Sequence, residues 1–314
     1  MLKRKHILVL LLVAALVLSF SACSNGKTTD ADAKTEEQPE VNVVEEEANN
    51  YFANMPEDGY KIDNIVFVDK VKAAEEMVIL DIRQPDVYAE GHIKGAINLP
   101  WGTAISDSLE KIPQDKPVMV YCYTGQTAGQ TVALLNIAGF DAKSVTFGWN
   151  LGISKVEGVD AVVETTVNEL GESAGTVVDP AVKQALGDYF TGLAEVKDTI
   201  YANYKISEVD AKKLLDEKDE SVVFLSVRGA EDYAKGHIES ASNIPFAKGM
   251  EVQFNTLPKD KKIIVYCYTG QTAGQTVADL KLLGYDAVSL NGGMGTPKNA
   301  PAGWANQGFP VVTE

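Results

Sequence analysis

Two cysteines, Cys122 and Cys267, stand in identical surroundings and carry the clearest chemistry in this 314-residue chain. Each follows a short apolar run, Val118-Met-Val-Tyr121 or Ile263-Ile-Val-Tyr266, of the kind that forms a strand buried on both faces. Each precedes a stretch that reads as a helix, Thr127 to Ala138 or Thr272 to Leu283, with Gly139 or Gly284 at its C-cap position. Open α/β sheets bind ligands at the carboxyl ends of their strands. A cysteine placed there, ahead of a helix N-terminus, meets free backbone N–H groups and the positive end of the dipole. Both favour the thiolate, the nucleophilic form of the side chain. Gly125 and Gly270 permit the positive φ angles that would close each loop around its sulfur. The alternative is a pair of buried structural thiols, a common fate of free cysteine. The third cysteine, Cys23, is separate, and the count leaves a single Cys122–Cys267 disulfide open.

The elements that position these loops occur twice. Val120 to Ala133 recurs letter for letter at Val265 to Ala278, and the same offset relates Gly91-His92-Ile93 to Gly236-His237-Ile238 and Arg83 to Arg228. Tyr51-Phe52 is echoed by Tyr189-Phe190 at a slightly shorter offset. A period this long means tandem domains. Strands at Val78 to Ile82, Val222 to Ser226, Asp141 to Val145 and Asp286 to Leu290 alternate with helices, and Ser207 starts one as a cap. The pattern is that of an α/β fold with mostly parallel sheets. Fourteen identical residues between drifted flanks point to shared chemistry, because packing alone tolerates volume-conserving exchange.

The motifs together resemble the rhodanese family. Asp81-Ile-Arg83, Tyr88 to Pro100 and Cys122 to Thr127 are similar to one complete rhodanese domain; Ser226-Val-Arg228, Tyr233 to Pro245 and Cys267 to Thr272 are similar to a second. The resemblance covers Lys61 to Asn150 and Lys205 to the C-terminus. It implies two rhodanese-like domains, each a five-stranded parallel sheet flanked by helices. It implies that Cys122 and Cys267 are catalytic, taking sulfane sulfur as a persulfide and passing it to a thiophilic acceptor. Tyr123, Thr124, Gly125, Gln126 and Thr127, with Tyr268, Thr269, Gly270, Gln271 and Thr272, take the place of the sulfur-cradling loops. Asp81, Arg83, His92, Arg228 and His237 fall on the scaffold, the two histidines in a structural turn. Two features depart from the usual pattern. The loops end in threonine followed by alanine where many single-domain members have arginine, an ending similar to the tandem thiosulfate and mercaptopyruvate sulfurtransferases. Those usually keep a cysteine only in the second domain, whereas this chain has both. Ser226 also stands where the first copy has Asp81, an exchange expected to weaken a scaffold contact.

The ends set the expected location. Lys3, Arg4 and Lys5 precede the apolar run Ile7 to Leu18, which is shorter than a spanning helix needs. Leu18-Ser-Phe-Ser-Ala-Cys23 resembles the lipobox of bacterial lipoproteins, which implies a signal peptide over 1–22 and a lipid on Cys23 facing the extracytoplasmic side. Ser24 to Asn50 is acidic and poor in large apolar residues, so 23–50 is expected to be a solvated tether. Domains are then expected at 51–164 and 181–314, joined by a polar linker over 165–180. The formal charge is −16, and loss of the three leader cations makes it more negative still. That balance argues against nucleic acid and against docking on anionic lipid through a basic patch.

No His/Cys cluster suits a metal, and no cofactor is expected. A cysteine phosphatase would need an arginine to grip phosphate, but Arg83 and Arg228 are the only arginines beyond the leader and both fall on the scaffold. A sulfur-carrier or partner-binding module remains the non-enzymatic alternative. The partners implied are small sulfur donors (thiosulfate, polysulfide or persulfide) and thiol or cyanide-like acceptors, with no protein acceptor identified. With neutral side chains in the loops, thiosulfate is expected to be a weak donor, Lys94 or Lys235 being the cations able to swing in from the scaffold turn.

Overall fold

The computed structural model describes residues 42–314. Cys23, the leader and most of the expected tether lie outside the described residues. The first copy runs α1 (Val43–Ala53), β1 (Lys61–Ile62), α2 (Asn64–Lys72), β2 (Val78–Asp81), α3 (Pro85–Glu90), β3 (His92–Ile93) and β4 (Ile97–Asn98). It continues with α4 (Thr103–Ser106), β5 (Val118–Tyr121), α5 (Gln126–Ile137), β6 (Ala142–Val145) and β7 (Val163–Glu164). The second copy runs α6 (Pro180–Thr191), α7 (Leu193–Val196), β8 (Lys205–Ile206), α8 (Glu208–Asp216), β9 (Val222–Ser226) and α9 (Ala230–Lys235). It ends with β10 (Ser242–Asn243), β11 (Lys262–Tyr266), α10 (Gln271–Leu282) and β12 (Ala287–Leu290).

Each copy builds the expected five-stranded sheet, ordered β1-β6-β5-β2-β4 in the first and β8-β12-β11-β9-β10 in the second. Every pairing within them is parallel. The central strands β2, β5 and β11 are buried along their length except at Lys262, as their apolar runs require. His92 pairs antiparallel with Glu164 through β3 and β7, and His237 forms the corresponding bridge to Val312.

The described end of the expected 23–50 tether is helical. Val43 to Asn50 belongs to α1, not to a solvated coil. Asn42 caps it by accepting from the Glu45 N–H, and Glu45 and Glu46 sit in the first turn, where the dipole favours negative charge. Ala48, Tyr51 and Phe52 are buried on its other face. The acidic side chains hid an apolar stripe of helical spacing, whose counterpart is the Val182, Leu186, Tyr189 and Phe190 face of α6. Residues 165–179 form neither helix nor strand, yet they lie against the first copy: the Ala174 N–H donates to Glu110 O, and Val178 is buried.

The two copies share a core. One apolar cluster takes in Leu80, Val120 and Leu135 of the first sheet and helices together with Leu225, Val265 and Leu280 of the second. Each sheet's other face has a separate cluster. Helices α5 and α10 meet in the middle, and α1 and α6 reach across: Phe52 packs edge-on to Phe246 and Phe254, and Phe190 edge-on to Trp101. Apolar burial is the main favourable term in folding, and here much of it exists only when the copies are together.

Candidate active site

Cys122 and Cys267 lie at the ends of β5 and β11, each about 2% exposed and neither in a disulfide. The chain turns at once through Gly125 (φ +97°) or Gly270 (φ +95°), the N-cap of α5 or α10. This left-handed turn, open to glycine at little cost, aims a backbone N–H at the sulfur: Gly125 N to Cys122 Sγ is 3.1 Å, and Gly270 N to Cys267 Sγ is 3.1 Å. With the helix dipole behind it, that donor stabilises negative charge on sulfur.

Two further glycines hold the loop from behind. Gly148 and Gly293 adopt φ +58° and +60°, and a Cβ on either would stand 2.5 Å from the carbonyl oxygen of its cysteine. The close approach lets the Trp149 N–H donate to Cys122 O at 2.8 Å and the Met294 N–H donate to Cys267 O at 2.7 Å. Sequence reasoning passed over this pair, although the two glycines stand at the same offset as the rest of the repeat.

The other loop residues separate into distinct roles. Tyr123 OH accepts from the Gln84 N–H, and Tyr268 OH accepts from Gly229 N–H while donating to Asp232. Both tyrosines thus tie the loop to the turn after the neighbouring strand. Thr124 is exposed, and Thr127, Thr269 and Thr272 are half-buried. Gln126 and Gln271 do not cradle their own sulfur. Gln126 Nε2 crosses to the other copy, donating to Ser289 Oγ at 2.6 Å and Leu290 O at 3.1 Å. Gln271 Nε2 reciprocates to Ser144 Oγ at 2.7 Å.

The identity of the fourteen-residue stretch therefore has a second cause. Gln130 accepts from the Tyr189 hydroxyl and Gln275 from the Tyr51 hydroxyl, again across the copies. A self-complementary contact between two copies of one pattern requires the same residues on both sides. Packing across the copies accounts for the glutamines.

The residues assigned to the scaffold are buried and hydrogen-bonded to neighbouring backbone. Arg83 makes a buried ion pair with Asp81 (Nη2 to Oδ2 2.5 Å) and donates to Gly91 O. In the second copy Ser226 offers no carboxylate, and Arg228 Nε is buried without a partner, although Arg228 Nη2 still donates to Gly236 O. His92 Nδ1 bonds Tyr88 O at 2.8 Å and its Nε2 bonds Thr166 O at 2.9 Å; His237 Nδ1 bonds Tyr233 O at 3.0 Å. Both rings stack on those tyrosines, as scaffold groups do.

Comparison with known proteins shows the family. The model of the rhodanese-like domain matches residues 66–153 and 207–296. The chain is 36% identical over 89 residues to the thiosulfate sulfurtransferase GlpE of Pseudomonas entomophila (strain L48), covering 28% of this chain and 81% of that protein. It is 28% identical over 110 residues to a sulfurtransferase of Allochromatium vinosum, covering 34% of this chain and 95% of that protein. A crystal structure of a rhodanese-like domain protein from Staphylococcus aureus matches 35% of this chain and 97% of its own, at 27% identity and a TM-score of 0.30.

Proposed function

The chain belongs to the rhodanese-like domain family, and from that premise we propose that it moves sulfane sulfur from a small donor to a thiophilic acceptor through persulfides on Cys122 and Cys267. The observation that carries this reading is the backbone N–H held 3.1 Å from each sulfur. The thiolate attacks the terminal sulfur of the donor. A bond forms between Sγ and that sulfur, the donor's own bond to it breaks, and the electron pair leaves with the remnant, sulfite in the case of thiosulfate. A thiol-derived or cyanide-like nucleophile then attacks the outer sulfur, and the bond that breaks returns its electron pair to Sγ. The N–H and the helix N-terminus stabilise the anion that recurs on the cysteine at each stage.

Incubation with thiosulfate or polysulfide should add one sulfur in mass to Cys122 and one to Cys267. Each single Cys→Ser variant should keep one adduct, and the double variant should lose both adducts and all turnover. Turnover that persists in the double variant would exclude the mechanism. Adducts that form without release to any acceptor would favour a sulfur carrier over an enzyme.

We propose in addition that Cys23 is lipid-modified and holds the protein at the outer face of the cell membrane. The lipobox-like stretch before Cys23 supports this. Among the described residues no helix is long and apolar enough to cross a membrane. Wild-type protein should fractionate with membranes, and Cys23→Ser should accumulate uncut and without the acyl mass. Equal processing of the two would remove the lipid from the account.

A further inference from the structure

Neither cation expected beside the loops is well placed to serve them. Lys235 is exposed and paired with Asp232 at 3.1 Å, and Lys94 is exposed on the turn after β3. Two other lysines are carried toward the cysteines by the pairing of the copies. Gln126, four residues after Cys122, bonds Ser289 Oγ, and Ser289 is the register partner of Lys205 across β12 and β8. Register partners on adjacent parallel strands point to the same face, about 4.8 Å apart. Lys205 therefore shares the face that receives the Cys122 loop.

The segment leading to Lys205 is held there independently. Asn203 accepts from the Trp101 indole N–H at 3.1 Å, and the Trp101 N–H donates to Ile82 O, just beyond the end of β2. The arrangement repeats for the other lysine. Gln271 bonds Ser144, the register partner of Lys61, and the Lys61 ammonium stands 5.8 Å from the ring of Phe246 in the second copy. Phe246 in turn donates its N–H to Val227 O, just past the end of β9. Both lysines are half-buried, and among the described residues neither makes an ion pair.

We propose that each cysteine site is completed by a lysine of the opposite domain, Lys205 at Cys122 and Lys61 at Cys267, which binds the anionic end of the sulfur donor. The inference rests on the sulfurtransferase reading and names the group that selects its substrate. Burial pushes the Lys205 ammonium below its usual range, and the charge of Cys122 pulls in the other direction. An ammonium that is partly stripped of water and lacks a carboxylate has its charge free for a sulfonate-like or persulfide anion. It also stabilises the sulfite that leaves. The site then depends on both domains, which makes the shared core part of the chemistry.

The test uses the full chain in a Cys267→Ser background, so that only Cys122 reacts. Lys205→Met should raise the KM for thiosulfate by about tenfold or more, the effect of losing one charge-assisted hydrogen bond. Its rate with a neutral organic trisulfide should change less than twofold. Lys205→Arg should recover most of the thiosulfate KM, and Lys94→Met should match the background. Equal losses with anionic and neutral donors, or no loss with either, would overturn the lysine's role. If Lys205→Met is poorly folded by circular dichroism, the Lys205→Arg KM for thiosulfate decides: a tenfold rise despite a native spectrum and unchanged trisulfide rate would also overturn it. Absence of any adduct in the background protein itself would instead count against sulfur transfer at Cys122.

Discussion

Gly129→Ala is expected to destabilise the protein by roughly 3 kcal/mol or more, a large cost for one methyl group. A Cβ at Gly129 would stand 2.3 Å from Gln271 O, and one at Gly274 would stand 2.4 Å from Gln126 O. Both obstacles are backbone, so relief requires α5 and α10 to move apart. Separation would open the core that the copies share and pull Gln126 and Gln271 away from Ser289 and Ser144. Gly274→Ala should behave alike. Gly187→Ala, in α6, supplies the control, because nothing lies within 4 Å of its Cβ position. There the helical preference of alanine should stabilise by about 1 kcal/mol. Urea midpoints for the three variants settle the matter. If Gly129→Ala unfolds no earlier than wild type, the helices do not approach as closely as described.

How far the sequence could be read follows from the range of the interactions involved. β5, β11 and the loops after them were legible because a buried strand, a cysteine, a glycine and a helix start leave local marks. Ser207 was legible for the same reason, and its hydroxyl does accept from the Asp210 N–H at 3.0 Å. The partner of Gln126 was not legible, since Ser289 is 163 residues away and no local pattern links them. Identity between the repeats seemed to speak for chemistry alone, because a lone domain gives glutamine no packing reason to stay. A contact between two copies supplies that reason. Helix α1 was hidden by Glu45 to Glu47, although Tyr51-Phe52 had already been matched to Tyr189-Phe190, the end of an apolar-striped helix. Lys61 and Lys205 leave no local mark either, because their strand partners Ser144 and Ser289 lie 83 or more residues away in the chain.

Asp279→Leu is expected to be the strongest stabilising change. The identical stretch ends at Ala278, and Asp279 follows where the first copy has Leu134. Leu134 is fully buried in the shared core; Asp279 is equally buried, and both its carboxyl oxygens lack a hydrogen-bond partner. Glu251 Oε2 is also buried without one, so no donor offsets either group. Burial, and then the charge of Glu251, push the Asp279 carboxyl well above its usual range. The native state therefore holds this proton to higher pH than the unfolded chain, whose aspartates release theirs near pH 4. Between those two values folding takes up a proton, so stability falls as pH rises. Leucine removes both the desolvation cost and the slope. It should add about 2–4 kcal/mol at pH 7, on the scale of burying an unpaired polar or charged group, and distinctly less at pH 4. Asp279→Asn tests the titration without changing the shape: it should flatten the pH dependence even if leucine fits poorly. Denaturant unfolding at both pH values makes the comparison. A gain from leucine that is equal at pH 4 and pH 7, together with an unflattened slope for asparagine, would show that the Asp279 proton is not linked to folding.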